Sequence, residues 1–505
     1  MGLLSATPDP VAPANKRRYR VLGRLASWLP AGWFFTAVLV VFQMAGLRGL
    51  AAAPATNATW VDAWGASYMS TMINGHLQSM PTFNNQTLRV NMNTKLGGTS
   101  LRVKFTDRFA TTPVVIGEAH VAWRASTTGS GIVQSTDHLL TFDGATNLNL
   151  AVGAEQWSDP VDLAVTQHQE ISVSVFLPQS TKPSTCHPVG LKTHYYVAGN
   201  HCGDATFVSP STTSTDIFVV DVQVMAPTNS RVIVALGDSI TDGTFSTTDG
   251  NATWPDVLSK RLPALPDGTP VGVLNMGIGS NRLVTTNAAG PSGLDRLDAD
   301  VLSRPNVSHL ILLEGINDIS YEHVLPGDLI AAYQQVIDRT HAKGIKAFGG
   351  TLLPIGNSSK YTAANEATRQ TVNTWIRESG QFDAVLDFEK VVADTNYTPL
   401  RIKSTLQAGD YVHPNTTGYQ LMAQSVPLDL FNAQLGTFYA PGFDTNGIVH
   451  WWLDLNPGLD YVIEASTNLT DWTTFLTVTN APSILFSDPD STTQRLRFFR
   501  AHQLP

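Results

Sequence analysis

Residues 231–243 read RVIVALGDSITDG. The apolar run 232–236 stops at Gly237-Asp238-Ser239, which is the pattern of a strand buried on both faces of a parallel sheet. The chain leaves such a sheet at its carboxyl edge, where open α/β sheets place their ligands. A serine at that turn puts its hydroxyl in the crevice and its backbone N–H toward whatever binds there, a nucleophile's position. Gly, Asp and Ser are also common turn residues, so the stretch alone reads equally as a plain turn.

Downstream, strand-like and helix-like segments alternate. Residues 271–275 (VGVLN), 309–313 (HLILL), 345–349 (IKAFG) and 384–387 (AVLD) read as further strands. Residues 254–262, 293–302, 328–342 and 365–379 read as helices, the third opening just after Pro326-Gly327. Alternation of this kind builds a parallel sheet with helices on both faces. The chemistry-bearing residues stand at the strand ends. Asn275-Met-Gly-Ile-Gly-Ser-Asn281 is a loop small enough for backbone N–H groups to face the crevice. Gly315-Ile-Asn317-Asp318 offers a side-chain amide. Asp410-Tyr-Val-His413-Pro414 comes late, with Pro414 expected in the first turn of a helix carrying Gly418 and Tyr419. Asp410 can reach one imidazole nitrogen of His413, which leaves the other to face Ser239. A base oriented by an acid beside a hydroxyl is what makes serine nucleophilic. The developing oxyanion needs preorganised donors. The candidates are the N–H of Ser239, an N–H in the Gly279-Ser280 turn, and the Asn317 side chain.

With these four blocks in order, the chain resembles the SGNH (GDSL) hydrolases, marked by GDS, a second-block glycine, GxND and DxxH. The resemblance covers roughly residues 231–430. It implies a flavodoxin-like three-layer fold and a triad of Ser239, His413 and Asp410. One departure is that the family's oxyanion glycine falls on Ser280, with Gly279 just before it, and a backbone N–H serves from either. The α/β-hydrolase alternative is disfavoured because its nucleophile sits in GxSxG, whereas this chain has Gly237-Asp-Ser239-Ile-Thr241. Scattered histidines and the lack of HExxH disfavour a metallohydrolase, so no metal or cofactor is expected.

Several residues near these blocks have plainer readings. Asp238 is expected to bond local backbone, and Glu314 and Asp318 to brace the Asn317 loop. Glu366, Arg369, Asn373 and Trp375 share helical spacing and suit a surface or inter-element network. Arg282 suits either an anionic substrate or a structural salt bridge.

Outside the α/β region the pattern is β-like. Between Trp60 and about Met225, Leu88-Val90-Met92, Leu101-Val103-Phe105 and Ile171-Val173-Val175 alternate with polar residues, as in an antiparallel sandwich. Its Trp60, Trp64, Trp123 and Trp157 suit either burial or stacking on sugar rings. Past Gly436, short strand-like runs around Trp451, Trp452, Tyr461, Trp472, Phe475 and 495–500 read as a small β domain. At the N-terminus, Lys16, Arg17, Arg18, Arg20 and Arg24 precede an apolar run at 31–47 and the small residues 51–55. That order is a secretory signal cleaved after Ala53 or Ala55. Its rival is an uncleaved anchor, the one part that would meet a membrane. The expected organisation is a leader (1–55), a β-sandwich (56–228), an SGNH α/β domain (229–435) and a C-terminal β domain (436–505).

The balance of 505 residues supports this picture: 43% are hydrophobic, only 14% charged, and the net charge is −9. Without a basic cluster beyond the leader, nucleic acid is excluded as a partner. Cys186 and Cys202, flanking a short loop in an exported chain, are expected to form a disulfide. The combined expectation is an exported serine esterase, secreted, periplasmic or held at the cell surface. It would deacylate a polysaccharide bearing acetyl or other small acyl groups. The alternatives are a lipase- or lysophospholipase-type acylhydrolase and a catalytically silent glycan-binding protein.

Overall fold

The computed structural model describes residues 58–431, apart from 71, 74–75, 78–79, 264–267 and 288–289. It also describes 437–438, 442–443, 448–454, 460–479, 483–493 and 497–503. The leader expected at 1–55 lies outside the described residues.

Five strands, β1 (Arg231–Gly237), β2 (Val271–Gly277), β3 (Val307–Leu313), β4 (Lys346–Gly350) and β5 (Ala384–Leu386), form one sheet in the order 2-1-3-4-5. Every pairing in it is parallel. After Arg231 the central β1 is apolar, as a strand covered by helices on both sides requires, and residues 232–236 are fully buried. Each Val, Ile or Leu among them contributes about 1.5–3 kcal/mol of transfer free energy. The helices are α1 (Ser239–Asp242), α2 (Trp254–Arg261), α3 (Gly293–Leu297), α4 (Pro326–His341), α5 (Ala363–Glu378), α6 (Phe388–Val392) and α7 (Thr416–Ser425). They fall into two packed groups, with α7 against α2 and α6, and α4 against α3 and α5. Strand order and helical cover are those of the flavodoxin-like three-layer fold that the resemblance implies.

Local chemistry fixes where these helices begin. Thr253 and Asp256 form a reciprocal capping box on α2, and Pro326 occupies the first position of α4. The expected helix at 293–302 instead divides into α3 and a π-helical turn at Asp298–Leu302. The short α1 sits directly on the ends of β1 and β2. A Cβ on Gly277 would lie 2.1 Å from the Asp242 nitrogen, and one on Gly237 2.3 Å from the Leu313 carbonyl oxygen. Only glycine lets the nucleophile turn pack this closely.

The preceding region is a β-sandwich. One sheet holds Ala58–Gly65, Val219–Pro227, Leu101–Thr106 and Glu155–Trp157. The other is built around Gln86–Asn93 and Glu170–Leu177, and both are antiparallel. The sandwich and the α/β region share one continuous hydrophobic core within the compact unit Ala51–Asn432. Buried ions also join them. Arg304 Nη1 lies 3.0 Å from Asp62 and 2.8 Å from Asp221, and Lys95 Nζ lies 2.6 Å from Asp256, the acid of the α2 capping box. The tryptophans are engaged internally. The Arg102 guanidinium lies 4.7 Å from the Trp60 ring and 4.6 Å from Trp157, and Trp123 Nε1 donates to the Ala164 carbonyl.

The expected disulfide is not formed: Cys186 and Cys202 are both free and buried. Cys186 lies in a two-residue strand paired with Met69 and packs on Met69 and Ile278, whereas the Cys202 thiol donates to the Glu118 carbonyl. The strand His194–Ala198 separates them along the chain, and closeness in sequence does not bring the sulfurs together.

The unit containing Ala433–Pro505 has its own core of Val449, Trp451, Leu453, Tyr461, Ile463, Val478, Phe486 and Ala501. Two antiparallel sheets surround it.

Breaking a buried ion cluster strands its remaining charges. Arg304→Met should therefore lower unfolding free energy by about 3–5 kcal/mol, measured by urea denaturation. A loss below 1 kcal/mol would show that Asp62 and Asp221 do not depend on this guanidinium.

Candidate active site

Ser239 is the first residue of α1, at the carboxyl end of β1. Its orientation is set by Asp238, the helix N-cap, whose Oδ1 accepts the Ile240 N–H at 2.9 Å. As expected, Asp238 serves the backbone. Burial pushes its carboxyl up to about 7 against the opposing Ile240 hydrogen bond.

Ser239 Oγ lies 2.7 Å from His413 Nε2, and His413 Nδ1 lies 2.6 Å from Asp410 Oδ2. Because a carboxylate only accepts, Nδ1 carries the hydrogen and Nε2 turns its lone pair to the serine hydroxyl. The other carboxylate oxygen of Asp410 accepts the backbone N–H groups of Val412 and His413, both at 2.9 Å. Burial opposes ionisation of Asp410, but these bonds and the imidazole outweigh it and hold the carboxyl below its ordinary value. The turn needs Tyr411 at φ +55°. Pro414 stands outside the following helix, whose N-cap is Asn415, contrary to the expectation that it opens the first turn. Tyr419 Oη donates to the Thr244 carbonyl at 2.8 Å, tying α7 to the nucleophile loop. Phe245, an exposed ring that the sequence did not flag, meets the His413 ring edge-on at 5.5 Å.

The turn after β2 distinguishes its two candidate donors. The Gly279 N–H is directed at the Asp242 carboxylate, although Asp242 Oδ2 completes no hydrogen bond. Ser280 adopts φ +61°, the left-handed conformation that favours glycine. Its N–H has no intramolecular partner among the described residues. Asp318 Oδ2 and Oδ1 accept the N–H groups of Leu283 and Val284, both at 2.9 Å, and so brace this loop. Arg282 is held internally, with Nη1 donating to the Ser280 carbonyl at 2.7 Å and Nη2 lying 3.2 Å from Glu322. The Asn317 amide donates from Nδ2 to the Asn281 carbonyl and accepts at Oδ1 from Lys360 Nζ, both at 2.9 Å.

Beneath these residues lie Arg296 and His187, which spacing did not reveal, together with Glu314, which faces Arg296 rather than bracing the Asn317 loop. Arg296 is buried and donates to the Gly237 carbonyl (2.8 Å), the Met276 carbonyl (2.6 Å) and Asn281 Oδ1 (3.0 Å). Glu314, 3.5 Å from Arg296, is pushed up to about 8 by burial despite that guanidinium. His187, supplied by the β-sandwich, has Nδ1 2.8 Å from the Ser67 carbonyl and Nε2 3.1 Å from Asp242 Oδ1. Of the Glu366–Arg369–Asn373 set, Arg369 and Asn373 are buried and Glu366 is partly so, and the set forms an inter-element network. Arg369 and Asn373 bond the Leu352 carbonyl and Glu389, joining α5 to α6 and the segment after β4.

Acceptors at both nitrogens hold His187 protonated. Burial alone would lower its pKa, but the charge and hydrogen bond of Asp242, with Asp216 behind, raise it to about 9. A raised histidine stabilises the fold fully below its unfolded value of roughly 6.5. That contribution is lost as pH rises through about 9. Unfolding free energy followed from pH 6 to 10 should therefore fall more steeply in wild type than in His187→Gln. Parallel curves would remove this ion pair as the cause.

Residues 235–421 match the model of the GDSL-like lipase/acylhydrolase family. No curated protein matches the chain. Among solved structures it is similar to an aryl esterase from M. smegmatis, with 15% identity over 39% of this chain and 96% of that one, TM-score 0.32. It is also similar to a carbohydrate acetylesterase from Sinorhizobium meliloti, with 14% identity over 39% and 96%, TM-score 0.31. A third is a member of the lipolytic protein G-D-S-L family from Veillonella parvula, with 20% identity over 39% and 96%, TM-score 0.31. Residues 235–421 thus form a GDSL-like lipase/acylhydrolase domain.

Proposed function

We propose that the chain is an exported serine esterase that removes acetyl or other small acyl groups from a polysaccharide, with Ser239, His413 and Asp410 as its triad. The single observation that carries the nucleophile assignment is the unbroken chain of contacts from hydroxyl to imidazole to carboxylate, at 2.7 and 2.6 Å. Ser239 Oγ attacks the ester carbonyl carbon while His413 takes its proton. The N–H groups of Ser239 and Ser280 and the Asn317 amide hold the resulting oxyanion. Collapse expels the alcohol, which takes the proton from His413. Water, deprotonated by His413, then attacks the acyl-serine, releasing the acid and restoring the hydroxyl. Asp410 keeps the imidazole in one tautomer and stabilises its charged form throughout.

Two features favour a sugar as the alcohol. Phe245 and Tyr321 are exposed aromatic rings, 59% and 55% accessible. Phe245 packs on the catalytic histidine, and Tyr321 lies 3.9 Å from the amino group of Lys360, which binds Asn317. Exposed ring faces suit the flat apolar faces of pyranoses. The basic, apolar and small-residue order of the leader supports export.

Ser239→Ala should lower kcat on p-nitrophenyl acetate by about 10³-fold or more. Wild type should release acetate faster from acetylated oligosaccharides than fatty acid from triglycerides or lysophospholipids. Equal activity of Ser239→Ala removes the nucleophile, and preference for lipid replaces the polysaccharide.

A further inference from the structure

We propose that Lys360 is a positioning residue that orients and polarises the Asn317 amide as an oxyanion donor. This rests on the esterase reading above and deepens it. A lysine only donates and a backbone carbonyl only accepts, so the two neighbours of the Asn317 side chain leave its amide one orientation. Oδ1 faces Lys360 Nζ and Nδ2 faces the Asn281 carbonyl, each at 2.9 Å. One Nδ2 hydrogen is spent on Asn281 and the other remains for substrate. A positive charge on the amide oxygen draws electron density away from nitrogen and strengthens that remaining donor.

The charge of Lys360 also acts on the buried Asp238 carboxyl, whose pKa it lowers, but without a direct ion pair. Among the described residues its amino group forms no ion pair with a carboxylate. Its neighbours are Asn317 and the Tyr321 ring, whose centroid is 3.9 Å away. Surface lysines ordinarily hydrate or pair with acids. Here the residue is half-buried, and its main chain is clamped on both sides. The Lys360 N–H donates to Ser358 Oγ at 3.2 Å, and Asn365 Nδ2 donates to the Lys360 carbonyl at 2.9 Å. The segment between β4 and α5 therefore delivers a fixed cation to the rear of one oxyanion donor. A preorganised charge of this kind gains most when negative charge develops, so it lowers the barrier rather than tightening the ground state.

The test compares wild type, Lys360→Met, Lys360→Arg, Asn317→Ala and the Lys360→Met/Asn317→Ala double variant on p-nitrophenyl acetate. Lys360→Met should lose about 10- to 100-fold in kcat, below the 10²–10³ typical of deleting a donor. Its KM should stay within about threefold, and Lys360→Arg, which keeps charge and donor, should recover most of the rate. In the Asn317→Ala background the same substitution should cost less than about threefold, since coupled residues are not additive. Unchanged kcat in Lys360→Met, a loss confined to KM, or an undiminished loss in the Asn317→Ala background would each overturn the proposal. Failure of the esterase reading is seen separately, as retained hydrolysis by Ser239→Ala.

Discussion

A single buried guanidinium holds the catalytic edge of the sheet together. Arg296 donates to the carbonyl of Gly237, two residues before the nucleophile, and to the carbonyl of Met276, four before Ser280. It also reaches Asn281 Oδ1, the Asp300 carboxylate at 2.9 Å and Ser67 Oγ at 3.1 Å in the β-sandwich. Removing a guanidinium from water costs several kcal/mol, recovered only when its planar fork of donors is met. Here Nε and both terminal nitrogens find acceptors. The ends of β1 and β2 are thereby fixed relative to one another, which sets the spacing between the serine hydroxyl and the turn bearing Ser280.

The β-sandwich is part of this arrangement rather than a separate attachment. Ser67 reaches Arg296, while His187 bonds Asp242, the last residue of α1. Lys95 and Arg304 contribute buried ion pairs across the same boundary. The fold therefore resists independent motion of its two halves, and the active-site turn inherits the stiffness of both. Stability and preorganisation share the same interactions, so titrating the His187–Asp242 pair disturbs a turn that also faces Gly279.

Much of the catalytic edge was legible because its chemistry sits at strand ends that the sequence marks. Continuous apolar runs located β1 to β5, and the small-residue and Asp-x-x-His turns located Ser239, Asn317, Asp410 and His413. Supporting residues were not legible. Arg296 lies in a short, charged helical stretch that resembles a solvated face, and nothing local indicates that three chain segments converge on it. Lys360 and His187 arrive from distant loops, where spacing carries no information. The disulfide expectation failed for a related reason. Sequence separation bounds how far apart two sulfurs can be, but Cys186 packs on Met69 and Ile278 while Cys202 bonds the Glu118 carbonyl.

The α/β region supplies a relay whose acid is ionised and whose base has one tautomer, aligned before substrate arrives. In the proposed mechanism such preorganisation carries the reaction through a covalent ester of Ser239. Capture of that ester is the most direct test. Protein mixed with a slowly deacylating aryl ester, quenched in acid and digested, should yield one acyl group on the peptide containing Ser239, measured by mass spectrometry. Steady-state hydrolysis with no acyl group on that peptide, or with the group on another residue, would contradict the account.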